Sequence, residues 1–281
     1  MKKYIIKNHR LIEEKQAQIS INERGFLFGD GVFETCKIYN GKIYDFKAHK
    51  TRLTQGLKAL QISCNIANLE QDCLKLIKKN QIKNGILRIS ISRGIGSIGY
   101  FPTSNKSLII IQTLKNRTIP KEIILTISDI KKPSQNSFPI NHKTANALPY
   151  ILNKLYAKKN KCFDAIMLTQ ENYISETSAA NIFWVKDGKI YTPSKDCDIL
   201  EGTIRSKLLK HSPIKIIEKK ASLNELKQAD EIFLSNASSL IILVDKLILF
   251  DKNDKKIINF SKETGLNLYK LIKMYVKKSC Q

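Results

Sequence analysis

Three kinds of residue with distinct chemistry follow one another along a single stretch of this chain. The first is Lys143, set in His142-Lys143-Thr144-Ala145-Asn146-Ala147-Leu148. Its neighbours are small and weakly polar, and an ammonium taken out of water loses its proton more readily and becomes a nucleophile. Lys143 is therefore a candidate Schiff-base former. The second is Glu176, which precedes the small residues Thr177-Ser178-Ala179-Ala180 and the apolar segment Asn181-Ile182-Phe183-Trp184, read as a buried strand. The third is Leu200-Glu201-Gly202-Thr203-Ile204-Arg205. Its Gly-Thr pair falls at a helix start, where N–H groups without intrahelical partners can hold an anion. An amine nucleophile, an acid and an anion cradle are what a pyridoxal phosphate site needs.

The chain must supply strands and helices to position these groups. Residues 1–20 read as edge strands turning at Lys7-Asn8-His9. Within 22–35, three glycines and Asp30 permit a tight turn. A strand over 33–39 meets the hairpin signal Asn40-Gly41, which leads into 42–44. Asp45 is placed to cap a helix over 46–60, where Phe46, His49, Leu53, Leu57 and Leu60 share one side and Arg52 lies beside them. A second helix covers 68–80, strands cover 86–92 and 108–113, and the glycine-rich loop Arg93-Gly94-Ile95-Gly96-Ser97-Ile98-Gly99-Tyr100 lies between the strands. The polar stretch 115–120 ends in proline and marks a boundary. It divides a small N-terminal domain, 1–116, from a larger C-terminal domain, 121–281.

The second half opens with a strand over 123–128 and an irregular loop around Pro133 and Pro139. A helix over 147–160 tolerates Pro149 because proline fits the first turn. Strand 164–169, a hairpin of 181–185 with 189–192 at Asp187-Gly188, and a helix from Gly202 follow. Then come strand 231–234, a polar turn at Ser235-Asn236-Ala237-Ser238-Ser239, strand 240–250 and a helix over 262–277. The fold class expected is α+β, with two sheet-containing domains.

Composition narrows the function. The chain has 281 residues, 42% of them hydrophobic, enough for real cores. No apolar run has the length of a membrane span, and the basic start is too short in apolar residues for a signal peptide. A cytoplasmic protein is expected. The net charge of +23 would suit nucleic acid, but the lysines spread along the whole chain with no basic stripe interleaved with aromatics. Neither nucleic-acid nor membrane binding is expected. The six cysteines form no C-x-x-C pair and read as reduced core residues; the four histidines lack metal-ligand spacing, so no metal is expected.

Five motifs, taken in order, resemble the class IV aminotransferase family, the fold type IV pyridoxal phosphate enzymes. They are Phe28-Gly29-Asp30-Gly31-Val32-Phe33-Glu34-Thr35, His49-x-x-Arg52-Leu53, Lys143-x-x-Asn146-x-Leu148, Glu176 through Trp184, and Gly202-Thr203-Ile204-Arg205. The resemblance implies two domains of the D-amino acid aminotransferase-like kind with the cofactor between them, and a homodimer acting on a small molecule. It makes Lys143 the Schiff-base lysine and Glu176 the partner of the pyridinium nitrogen. Arg52, Thr203 and Ile204 become phosphate ligands, with Asn236 and Ala237 in a second phosphate turn. Thr35 and Tyr100 fall on the substrate side. Ala179 through Trp184 and Ser235-Asn236-Ala237 look most like 4-amino-4-deoxychorismate lyase, although that lyase's loop usually carries an arginine where Ile98 stands. An aminotransferase acting on an L-amino acid such as a branched-chain one is the alternative. No basic residue is evident around Asn136, which leaves the contact to the cofactor's phenolic oxygen unassigned.

Overall fold

The computed structural model describes residues 3–97, 99–104, 106–116, 118–251 and 254–280. They group into two compact units. One comprises Met1–Arg117, His142–Ala147 and Tyr275–Gln281; the other comprises Thr118–Asn141 and Leu148–Met274. The short segment that carries Lys143 thus groups with the first unit.

The first unit is built on an antiparallel sheet. Strands β1 (Tyr4–Lys7) and β2 (Arg10–Glu13) turn at Asn8 and His9, both at positive φ. Helix α1 (Arg24–Phe28) occupies part of the stretch read as a turn; Glu23 accepts a hydrogen bond from Phe26 N, and Gly29 closes the helix in the left-handed region. Strands β3 (Gly31–Tyr39) and β4 (Lys42–Ile43) form the hairpin expected at Asn40-Gly41. Helices α2 (Phe46–Ala59) and α3 (Leu69–Lys79) precede β5 (Gly85–Ser92) and β6 (Leu108–Leu114). The order across the six strands is β2-β1-β6-β5-β3-β4.

Strand β3 alternates as a half-buried strand should. Val32, Glu34, Cys36 and Ile38 are buried, while Phe33, Thr35, Lys37 and Tyr39 are half-buried. Helix α2 buries Phe46, His49, Leu53, Gly56 and Leu57, of which Phe46, Leu53 and Leu57 join Leu69, Cys73 and Leu76 of α3 in this core. A Cβ at Gly56 would lie 3.0 Å from Val32 Cγ1, so α2 comes close to β3. The capping expectation is corrected here: Asp45 sits at φ 52° and its side chain makes no cap hydrogen bond. Its carbonyl instead accepts from Ala48 N and His49 N.

The second unit carries β7 (Ile124–Ile127), α4 (Leu148–Lys159), β8 (Asp164–Leu168), β9 (Ile174–Thr177), β10 (Asn181–Lys186) and β11 (Lys189–Pro193). Helix α5 (Thr203–His211), β12 (Ile216–Lys219), α6 (Leu223–Lys227), β13 (Glu231–Asn236) and β14 (Leu240–Leu243) follow. Strands β15 (Lys246–Asp251) and β16 (Asp254–Asn259) and helix α7 (Glu263–Ser279) complete the chain. Among the described residues the sheet has ten strands and is mixed, with β7 parallel to both β8 and β15. Its core includes Ile182, Trp184, Ile232, Leu234 and Val244, all fully or nearly fully buried. The stretch 240–250 is two strands rather than one, broken where Val244 N bonds to Ile232 O and Asp245 N to Ile123 O. Strands β9, β12 and β16 and helix α6 are elements beyond those expected from the sequence. The class is α+β, as expected. Among the described residues no helix is long and apolar enough to cross a membrane.

Candidate active site

In the first unit, the lysine segment is laid along β3. Phe33 N donates to Lys143 O at 3.0 Å, Ala145 N donates to Gly31 O at 2.7 Å, and Thr144 forms a bridge with Val32. The Lys143 ammonium lies 4.3 Å from the centre of the Phe33 ring, and the Arg88 guanidinium lies 4.2 Å from the same centre. Thr35 shares this face of the strand and pairs directly with Arg88 in the ladder.

The buried face of β3 carries Glu34. Arg52 Nε donates to Glu34 Oε1 at 2.7 Å and Nη2 donates to Oε2 at 2.8 Å, a two-bond fork. His49 Nδ1 lies 2.7 Å from Oε2. Burial pushes the Glu34 carboxyl up, but the hydrogen bonds and charges of Arg52 and His49 override it and hold it at about 2. Glu34, Cys36 and His49 place ligand-type atoms within 4.8 Å of one another, yet the guanidinium of Arg52 already covers both Glu34 oxygens. Burial, with the Glu34 charge adding to it, raises the Cys36 thiol well above its ordinary range, so it stays a poor metal ligand.

The glycine-rich loop is clamped by a buried arginine. Arg24 donates to Asp30 through Nε, to Ser97 O and Gly99 O through Nη1, and to Tyr100 O through Nη2. Arg93 grips the same Asp30 through Nε and Nη2. Tyr100 is therefore held through its carbonyl; the residue is 89% exposed, and its ring centre lies 5.8 Å from that of Phe28. Ile98 lies outside the described residues.

In the second unit, Glu176 on β9 is held by three donors. The Lys132 ammonium bonds to Oε1, while Asn181 Nδ2 and Leu200 N each donate to Oε2 at 3.1 Å. Lys132 also donates to the Tyr150 hydroxyl at 2.7 Å. Burial opposes the charge on Lys132, but Glu176 and Tyr150 outweigh it and hold its pKa above the ordinary lysine range. Lys132 is a buried basic residue ahead of Lys143 that none of the five motifs includes. Nothing marked it in a chain with 48 Lys and Arg; complete burial against an acid is what distinguishes it.

Helix α5 starts beside this cluster. Its N-cap is Gly202, with no side-chain cap, and a Cβ at that position would collide with Asn181 Oδ1. Among the described residues Thr203 Oγ1 is buried with no hydrogen-bond partner, and so is Ser235 Oγ, whose residue pairs with Asn181 across β10 and β13. Ile204 is buried. Asn236 Oδ1 accepts from Ser238 N and Ser239 N, which shapes the turn holding Ala237. Arg205 bonds to Pro193 O and Glu218, a role inside the unit. The donor set fits pyridoxal phosphate. Orphaned hydroxyls and helix N–H groups suit a phosphate, and an anchored carboxylate suits a pyridinium nitrogen.

The class IV amino-transferase family model matches residues 31–247. The chain belongs to that family. It is therefore an enzyme of a pyridoxal phosphate-dependent class. This class IV enzyme is 31% identical over 273 residues to the aminodeoxychorismate lyase of Bacillus subtilis strain 168, covering 92% of this chain and 88% of that one. It is 29% identical over 265 residues to a D-alanine aminotransferase of Staphylococcus aureus strain MSSA476, covering 90% and 92%. Among solved structures, the branched-chain amino acid aminotransferase of Escherichia coli superposes with a TM-score of 0.83 at 26% identity, covering 88% of this chain and 87% of that one.

Proposed function

We propose that this enzyme is a 4-amino-4-deoxychorismate lyase, which releases 4-aminobenzoate and pyruvate. The single observation that carries the cofactor assignment is the Glu176 cluster: a carboxylate fixed by Lys132, Asn181 and Leu200 beside a helix start with an unpaired hydroxyl, Thr203. The lyase reading is supported by the run Ala179 through Trp184 and by the similarity to the Bacillus lyase.

When bound, pyridoxal phosphate supplies an electron sink for the carbon that bears the substrate amine. In this reading Lys143 holds the cofactor through its amine and yields it to the incoming substrate. As a free amine it then takes the proton from the ring carbon bearing the substrate nitrogen, and so lets enolpyruvate leave. Glu176 offers its anchored carboxylate to the ring nitrogen. Tyr150, tied to Glu176 through Lys132, is assigned to the phenolic oxygen. Arg52, the first N–H groups of α5 and Thr203 hold the phosphate, with Ile204, Asn236 and Ala237 lending backbone. Thr35 and Tyr100 are this reading's candidates for the substrate side. A cytoplasmic homodimer is part of the same reading.

The test is release of 4-aminobenzoate from 4-amino-4-deoxychorismate by the cofactor-loaded protein. Release that vanishes in Lys143→Ala supports the lyase. No release, with the cofactor bound, favours the second reading, an aminotransferase on an L-amino acid such as a branched-chain one. The likeness to the Escherichia coli aminotransferase supports that alternative. There Lys143 would move a proton from the substrate carbon, an amino donor would change the spectrum of the bound cofactor, and a keto acid would restore it.

A further inference from the structure

We infer that Glu34 is a positioning residue, which fixes the Arg52 guanidinium so that its second edge meets the cofactor phosphate. The inference rests on the reading that Arg52 is a phosphate ligand, and adds what aims it. A guanidinium is a planar fork with fixed donor directions. Glu34 takes the edge made by Nε and Nη2 with both carboxylate oxygens. Any oxyanion bound by Arg52 must therefore be met from the edge that Nη1 and Nη2 share. The pairing leaves the arginine no freedom to rotate about its own axis without losing one of two charge-assisted bonds.

Glu34 is itself fixed from three directions. It sits on the buried face of β3 with no exposed side-chain surface, His49 Nδ1 lies on Oε2, and α2 carries both His49 and Arg52 on one face one turn apart. Stability alone would not select an ion pair over apolar residues at this place. A buried ion pair is often no more stable than apolar residues of the same volume, because desolvating two charges offsets their attraction. Arg52 retains 11% side-chain exposure while Glu34 has none, so the pair lies with its acid inside and its base toward the unit's surface. The same strand also fixes the lysine segment, since Phe33 N bonds to Lys143 O and Gly31 O accepts from Ala145 N. One strand thus sets both the lysine backbone and, through Glu34, the direction of Arg52.

The test compares affinity for pyridoxal phosphate with affinity for pyridoxal, which lacks the phosphate, by fluorescence titration of the cofactor-stripped enzyme at pH 7. Glu34→Gln should raise the Kd for pyridoxal phosphate ~10-fold or more, the size of effect that losing an outer partner has at metal sites, and leave the Kd for pyridoxal unchanged. Glu34→Asp, which keeps the charge but withdraws the carboxylate by one methylene, should show the same selective loss and serves if the Gln variant does not fold. Arg52→Gln is the control for the underlying reading and should lose the same discrimination. Selective loss in Arg52→Gln, with both Glu34 variants binding like the wild type, would overturn the inference and leave the phosphate arginine standing. No selective loss in Arg52→Gln would overturn both. Equal weakening for both ligands in the Glu34 variants would mean a structural role only and also overturn it.

Discussion

Lys132 and Glu176 form an ion pair in which the lysine side chain has no exposed surface and the ammonium is shared with the Tyr150 hydroxyl. A cation buried so completely is held only while its acid is present. It anchors one oxygen of the carboxylate assigned to the cofactor ring, and it reaches that acid from a loop in which Lys132 N bonds to Leu168 O.

Removing one partner leaves an unpaired buried charge, so Lys132→Met should lower the stability of the cofactor-free protein by about 3–5 kcal/mol. Urea unfolding followed by Trp184 fluorescence measures this. The double variant Lys132→Met, Glu176→Gln should recover part of the loss. A single variant as stable as the wild type would show that the pair does not form.

Thr203 separates folding from binding. Its hydroxyl is buried without a partner among the described residues, so Thr203→Val should leave the cofactor-free protein as stable as before or stabilise it by up to about 1 kcal/mol. The same change should raise the Kd for pyridoxal phosphate ~10-fold, equivalent to about 1.4 kcal/mol. Unchanged cofactor affinity would remove Thr203 from the phosphate site.

Gly202 is required by contact rather than by backbone angle. Its φ of −69° is open to any residue, but a Cβ there meets Asn181 Oδ1. Gly202→Ala should therefore cost about 1–3 kcal/mol through overpacking. The Asn181→Ala background should recover much of that cost, because the two residues touch and their effects couple. Thermal unfolding of the four proteins gives the coupling directly.

Acid should act through Glu34. Its folded pKa, about 2, lies below the ordinary 4.5, so its stabilisation is complete above pH 4.5 and is lost as the pH falls toward 2. The full span corresponds to about 3 kcal/mol. Urea unfolding at pH 5, 4 and 3 should show a steeper decline for the wild type than for Glu34→Gln. Parallel declines would assign the acid sensitivity to other groups.

The parts of this account that were legible in the sequence have local signatures. Asn40-Gly41 gave the hairpin, the spacing of Phe46, His49, Leu53 and Leu57 gave α2, and Gly202-Thr203 gave the start of α5. Arg52 was visible as a charge beside an apolar stripe, but its pairing with Glu34 depends on the packing of α2 on β3 and has no local pattern. Lys132 and Tyr150 were invisible for the same reason: one of many lysines and one tyrosine become a cluster only through the chain's path between β7 and α4. Asp45 misled because an acid before a helix is a common cap, whereas here the left-handed backbone turns its side chain away from that role. Strands β12 and β16 are short, lysine-bearing and weakly alternating, so periodicity could not reveal them.

The most direct test of the central claim is to reduce the cofactor-loaded enzyme with borohydride, digest it and locate the pyridoxyl group by mass spectrometry. The account predicts the modification on the peptide containing Lys143 and its absence in Lys143→Ala. Modification of Lys132 or of any other lysine, with Lys143 unmodified, would contradict it.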